Sequence, residues 1–106
     1  MRFDRSITLK PGGLGVVRDL APKMAECAKK ILGDDMGKNL EFMVRLGSGP
    51  FHQVMWTWEI DSLDQDLANR SKLMENEEWV SLSMQIVPYI EERSVGDSVW
   101  WKLHSA

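Results

Sequence analysis

Val54-Met55-Trp56-Thr57-Trp58-Glu59-Ile60 is the stretch whose reading decides the fold. Taken every second residue, Val54, Trp56, Trp58 and Ile60 fall on one side, and Met55, Thr57 and Glu59 on the other. A period of two in β-branched and aromatic residues, ended by Asp61-Ser62, predicts a strand with one buried face. Each tryptophan on that face has about 200 Å² to bury, so a broad apolar surface must lie opposite.

Outward from this strand the periods alternate. Upstream, Leu40, Phe42, Val44 and Leu46 alternate with Glu41, Met43 and Arg45, and Gly47-Ser48-Gly49-Pro50 closes an antiparallel hairpin. Gly33 to Lys38 reads as a polar loop before it. At the start of the chain, Phe3, Ile7 and Leu9 alternate with Asp4, Ser6 and Thr8, with Arg5 interrupting the apolar set. Pro11-Gly12-Gly13 stops that strand in a turn. Gly12-Gly13-Leu14-Gly15 lacks the Lys-Ser/Thr of a phosphate-binding loop and reads as part of the same turn. Val17, Leu20, Met24, Cys27 and Ile31 then recur at three and four, the stripe of an amphipathic helix with Lys29 and Lys30 near its end. A proline in a helix interior costs about 3 kcal/mol, so Pro22 predicts a kink or an irregular start over residues 18–22.

Downstream, Ser62 and Gln65 form a capping box, and Leu63, Leu67, Arg70 and Met74 continue at helical spacing. Glu75-Asn76 interrupts the helix. Asn76 caps a second segment with Glu77 and Glu78 in its first turn and Trp79, Leu82, Ile86 and Ile90 as its stripe. Pro88 predicts an end near Glu91-Glu92. Val95-Gly96-Asp97 reads as a turn, and Ser98 to His104 as a last strand with Val99, Trp101 and Leu103 opposed to Trp100, Lys102 and His104.

The order β-α-β-β-α-β predicts an α+β, ferredoxin-like fold with an antiparallel sheet, built as one domain over residues 1–106. Helices cover one face of such a sheet. The other face would carry Met43, Met55 and a tryptophan of the last strand, an apolar patch that predicts a homodimer with the two sheets face to face. A net charge of −3 without a dense Lys/Arg cluster gives no footprint for nucleic acid. A single cysteine, Cys27, excludes an internal disulfide, and its place on the apolar stripe makes it a small buried hydrophobe. The charged opening Met1-Arg2-Phe3-Asp4-Arg5 is no signal peptide, and no apolar run reaches the ~20 residues of a membrane span. The expectation is a cytoplasmic protein with no membrane partner.

Several of these residues carry a family resemblance. Leu9-Lys10-Pro11-Gly12 closing the first strand, Gly49-Pro50 before a strand ending in Trp58, and Asp61-Ser62-Leu63 followed by Arg70, Leu73 and Glu77-Glu78-Trp79 resemble the NIPSNAP-like group of dimeric α+β barrel proteins. The resemblance spans nearly the whole chain. It implies two ferredoxin-like subunits whose sheets enclose a barrel-like cavity, with relatives that include cofactor-independent monooxygenases, haem-degrading enzymes and polyketide cyclases. It also matches Arg5 to a family arginine on the first strand, while the preceding partner position, commonly Glu, is Phe3 here, a departure from any Arg–Glu chemistry. Haem-degrading relatives place a histidine on the second helix. Gln65 to Glu92 contains none, so haem is not expected and no cofactor is assigned.

The residues leave three functional readings. In the first, Trp56, Trp58 and Trp100 line a cavity for a small, partly aromatic or acidic molecule, with Arg5, Arg45 and Glu59 as its polar groups. In the second, the chain is a cofactor-independent monooxygenase or related enzyme, an arginine offsetting enolate charge and His52 serving as the weak candidate for a base. In the third, the tryptophans are packing, the charges are cross-strand pairs, and the barrel is a filled structural or interaction module. His52 and His104 have no metal-ligand spacing, and no metal site is predicted.

Overall fold

The tryptophan stretch forms the strand that its period predicts. The computed structural model describes residues 1–33, 40–45 and 52–103. The elements run β1 (Arg2–Leu9), α1 (Gly13–Leu32), β2 (Glu41–Arg45), β3 (His52–Glu59), α2 (Leu63–Met74), α3 (Glu77–Met84), a 3₁₀ turn (Val87–Tyr89) and β4 (Gly96–Trp100). The strands form one antiparallel sheet in the order β2-β3-β1-β4, the ferredoxin-like arrangement. The predicted loop over 34–38, Leu46, the Gly47–Pro50 hairpin loop and His104 lie outside the described residues.

Strand register sorts the side chains. Phe3 faces Trp58 and Val99 across its two neighbours, Arg5 faces Trp56 and Asp97, and Ile7 faces Val54. Phe3, Ile7, Leu9, Val54 and Trp58 are buried together against Val17, Leu20, Met24 and Ala28 of α1 and against Leu73 and Ile86. This is the helix-covered face.

Four local expectations change. The first helix runs unbroken through Pro22 and starts at Gly13, so Gly13 and Gly15 are helical rather than part of a turn. Pro22 and Arg18 both lie on the exposed side of the helix, where solvent is available to the Arg18 carbonyl that Pro22 cannot bond. The helix ahead of Pro88 ends at Met84, four residues before the proline, where its ring would clash with the helical carbonyl. Tyr89 N–H and Ile90 N–H instead bond Ile86 and Val87 in the 3₁₀ turn. The last strand begins at Gly96, not Ser98, because the turn falls earlier, at Arg93 (φ 63°), and Asp97 pairs with Arg5. Trp101 and Leu103 lie beyond it and are exposed.

The fourth change is on α2. Leu63, Leu67 and Met74 are exposed, and the buried residues are Asp66, Asn69 and Leu73. Ser62 caps the helix through Gln65 N–H at 3.1 Å, but the Gln65 amide turns to Asn69 at 3.2 Å, so the capping box is half-formed. Asn76 caps α3 through Trp79 N–H at 2.9 Å.

The join of β1 to α1 is tight. Lys10 N–H bonds Tyr89 O at 2.6 Å, and a Cβ on Gly13 would lie 2.8 Å from the Cβ of Tyr89. Gly13→Ala is therefore expected to cost about 1–3 kcal/mol. Gly15 meets nothing nearer than an Arg18 nitrogen at 4.0 Å, and Gly15→Ala should stabilise by up to about 1 kcal/mol. Urea unfolding of the two variants checks the opposite signs.

Candidate functional site

Between the helix-covered face of the sheet and the helices α2 and α3 lies a half-open cavity of about 490 Å³. Its sheet wall comes from Arg5, Ile7, Phe42, Trp56 and Trp58. Its helix wall comes from Leu73, Met74, Trp79 and Ser83, continued by Ile86 and Val87, with Met24 and Ala28 of α1 at the back. The lining is apolar except for Arg5, Arg70, Ser83 and the tryptophan N–H groups. That balance, with few polar groups converging on an apolar space, is the usual form of a small-molecule site.

The polar end is a chain of pairs. Trp58 Nε1 donates to Asp66 Oδ1 at 2.9 Å, and Arg70 Nε donates to Asp66 Oδ2 at 2.8 Å, with Nη2 on the same oxygen. Asp66 is 1% exposed and so must be paired to remain charged there. Arg70 Nη1 lies 4.0 Å from Asp97 Oδ2 and its guanidinium sits 3.9 Å above the Phe3 ring. Asp97 in turn takes a bidentate pair from Arg5, Nε at 2.8 Å and Nη2 at 3.0 Å. Hydrogen bonding to Asp97 raises the Arg5 pKa further, and hydrogen bonding to Arg5 lowers that of Asp97 below the ordinary carboxylate range. Phe3 packs on Trp58 at 4.5 Å, and Phe42 meets Trp56 edge-on at 5.9 Å.

Of the seven residues singled out in the sequence, three meet at the cavity, three lie on the opposite face, and His52 belongs to neither set. Arg5, Trp56 and Trp58 meet at this cavity. Arg45, Glu59 and Trp100 lie on the opposite face of the sheet, where Arg45 reaches Gln53 at 3.5 Å and Trp100 is 61% exposed. His52 opens β3 on the cavity's face but opposite Leu9, outside the lining. The expected cavity lay between two sheets, whereas the cavity described here is on the other side of the sheet and within one chain. Arg70, Asp66, Asp97 and Trp79 were not read as site residues. A charged Arg70 inside an otherwise apolar helical stripe, with Asp66 four residues before it, was the available signal for the first two. Among the described residues no cluster of His, Cys, Asp and Glu fits a metal ion. Cys27 is buried, and burial raises its pKa, which keeps it a thiol.

A NIPSNAP family model matches residues 5–95. The chain belongs to the NIPSNAP family. A NIPSNAP protein of unknown function from Agrobacterium tumefaciens is 25% identical, with 92% of this chain and 82% of that one covered at a TM-score of 0.66. A second NIPSNAP protein from Agrobacterium tumefaciens is 24% identical, covering 98% and 87% at a TM-score of 0.67. A cofactor-independent oxygenase from Streptomyces nogalater is 6% identical over 98% and 93% at a TM-score of 0.61, a likeness of fold alone. Among curated proteins there is no match. No helix among the described residues is long and apolar enough to cross a membrane.

The lowered pKa of Asp97 fixes a sign. Its pair contributes stability that is complete above about pH 4, the unfolded aspartate value, and fades on acidification through the depressed folded value. Asp97→Asn should therefore unfold at lower urea than wild type at neutral pH, and the gap should narrow steadily as the pH falls below the unfolded aspartate value of about 4. A gap that persists unchanged in acid contradicts the assignment.

Proposed function

We propose that this NIPSNAP protein binds a small, partly aromatic or acidic molecule in the cavity between the sheet and the helices α2 and α3. The observation that carries the reading is the unfilled space of about 490 Å³ walled by Trp56, Trp58 and Trp79, with Arg5 and Arg70 meeting at one end. A module whose core was simply filled would leave no such space. Trp56 and Trp58 supply flat apolar walls, and the guanidinium N–H groups supply orientation.

The working form in this reading is a homodimer of one-domain chains in the cytoplasm. The outer face of the sheet supports it. Met43 is 41% exposed and Trp100 61% exposed there, and Met55 lies beside Met43 in register. An apolar area of that kind suits a surface that a second copy completes. Arg45 and Glu59 belong to that face and serve the dimer or a second ligand contact rather than the cavity. A buried free thiol suits a reducing compartment.

The oxygenase reading draws on the Streptomyces nogalater likeness and on arginine donors facing an apolar space, which suit a developing enolate. His52, its candidate base, is not among the residues lining the cavity, so the binding reading is the better supported.

Two measurements test the proposal. Trp100→Glu should shift sedimentation from dimer toward monomer, and an unchanged dimer would move the interface elsewhere. Ser83 lines the cavity, so Ser83→Phe should fill part of it. Saturation-transfer NMR with isopentylbenzene should give saturable binding to the wild type that the folded Ser83→Phe variant loses. Equal binding to both would place the hydrocarbon outside the cavity.

A further inference from the structure

The cavity reading names two ligand classes, and the charges around Arg5 choose between them. Arg5 and Arg70 line the cavity, while Asp97 and Asp66 stand behind them, outside the lining. Each guanidinium already has its carboxylate: Arg5 holds Asp97 through two hydrogen bonds, and Arg70 holds Asp66 through Nε and Nη2. The formal sum over the four groups is zero. The site nevertheless keeps spare donors, since Arg5 Nη1 has no partner among the described residues and Arg70 Nη1 only approaches Asp97 at 4.0 Å. What this end of the cavity offers is N–H without net positive charge.

Arg5 and Asp97 sit at the open end of the cavity, 42% and 37% exposed, so a carboxylate entering there would lose part of its hydration and would meet Asp97 as well as Arg5. To gain a full ion pair it would have to displace Asp97 from a bidentate contact set by the register of β1 and β4, where Arg5 and Asp97 face one another directly. A carbonyl oxygen accepts from Nη1 with a small desolvation cost and leaves the Arg5–Asp97 pair in place. We propose that Asp97 is a built-in counter-charge that makes the cavity select a neutral aryl or alkyl ligand bearing a carbonyl oxygen over the corresponding carboxylate. Asp97 is a specificity-determining residue that acts through Arg5, without touching the ligand. Ser83, the other polar side chain of the lining, can also donate to such an oxygen and adds no charge. The inference rests on the cavity reading above and narrows it.

Three molecules of nearly the same shape test it: benzylacetone, a neutral ketone; hydrocinnamate, its carboxylate counterpart; and isopentylbenzene, which has no acceptor. Their affinities are measured by tryptophan fluorescence at neutral pH on the full chain. Wild type should bind benzylacetone at least about tenfold more tightly than hydrocinnamate. Isopentylbenzene, which carries no acceptor and is the most hydrophobic of the three, reports apolar burial alone and should bind wild type and Asp97→Asn alike. Asp97→Asn removes the counter-charge and should raise hydrocinnamate affinity about tenfold while changing benzylacetone and isopentylbenzene little. Should Asp97→Asn fail to fold, Asp97→Ser takes its place, and unchanged hydrocinnamate affinity in the folded variant overturns the inference. Hydrocinnamate as the tightest wild-type ligand, or equal binding of all three, overturns the inference and leaves the cavity intact. Binding of none overturns the cavity reading and the inference with it.

Discussion

The hydrogen bond from the Trp58 indole to the buried Asp66 carboxylate is the contact on which the arrangement of the site depends. It joins the central strand β3 to α2 and makes the helix present Asp66, Asn69 and Leu73 to the sheet while Leu63, Leu67 and Met74 stay exposed. A carboxylate that is 1% exposed requires charge compensation, and Arg70, one helical turn on, supplies it. Arg70 is thereby drawn over Phe3 and toward Asp97, which holds Arg5. A helix docked through such a polar hub does not press an apolar stripe flat against the sheet. The space left between them is the cavity.

The two faces of the sheet divide the labour. The helix-covered face carries the aromatic walls and the paired arginines, and the outer face carries Met43, Met55, Trp100 and the Arg2–Asp4 pair. Because neighbouring residues of a strand point to opposite faces, β4 serves both. Asp97 braces Arg5 on the cavity side, while Trp100 stands on the outer side against Arg2 of β1.

The strands and their order were legible because a period of two leaves a mark that survives in a short chain. The Val54–Ile60 stretch needed no tertiary information, and the caps Ser62 and Asn76 are local chemistry that acts where it is written. The NIPSNAP assignment was legible from the order and spacing of short motifs along the whole chain. The site was legible only in part. Arg5, Trp56 and Trp58 were found because they share one strand face or its neighbour, whereas Trp100 was placed with them although its parity sends it to the other side. The buried side of α2 could not be read from hydrophobicity, since an aspartate and an asparagine occupy it: Asp66 accepts from Trp58 eight residues back and from Arg70 four residues on, and Asn69 accepts from Gln65 four residues back. Pro22 and Pro88 show the same dependence on context. One lies on a solvent-exposed side of its helix, and the other falls just past the end of its helix.

The central claim is that the cavity behind Trp56 and Trp58 is occupied by a small molecule in the working protein. Native mass spectrometry of the protein purified gently from its host tests it most directly. The account predicts a dimer carrying a reproducible organic adduct that is absent from a folded variant with the cavity filled. A wild-type protein that is reproducibly empty, or an adduct that survives filling of the cavity, would contradict it.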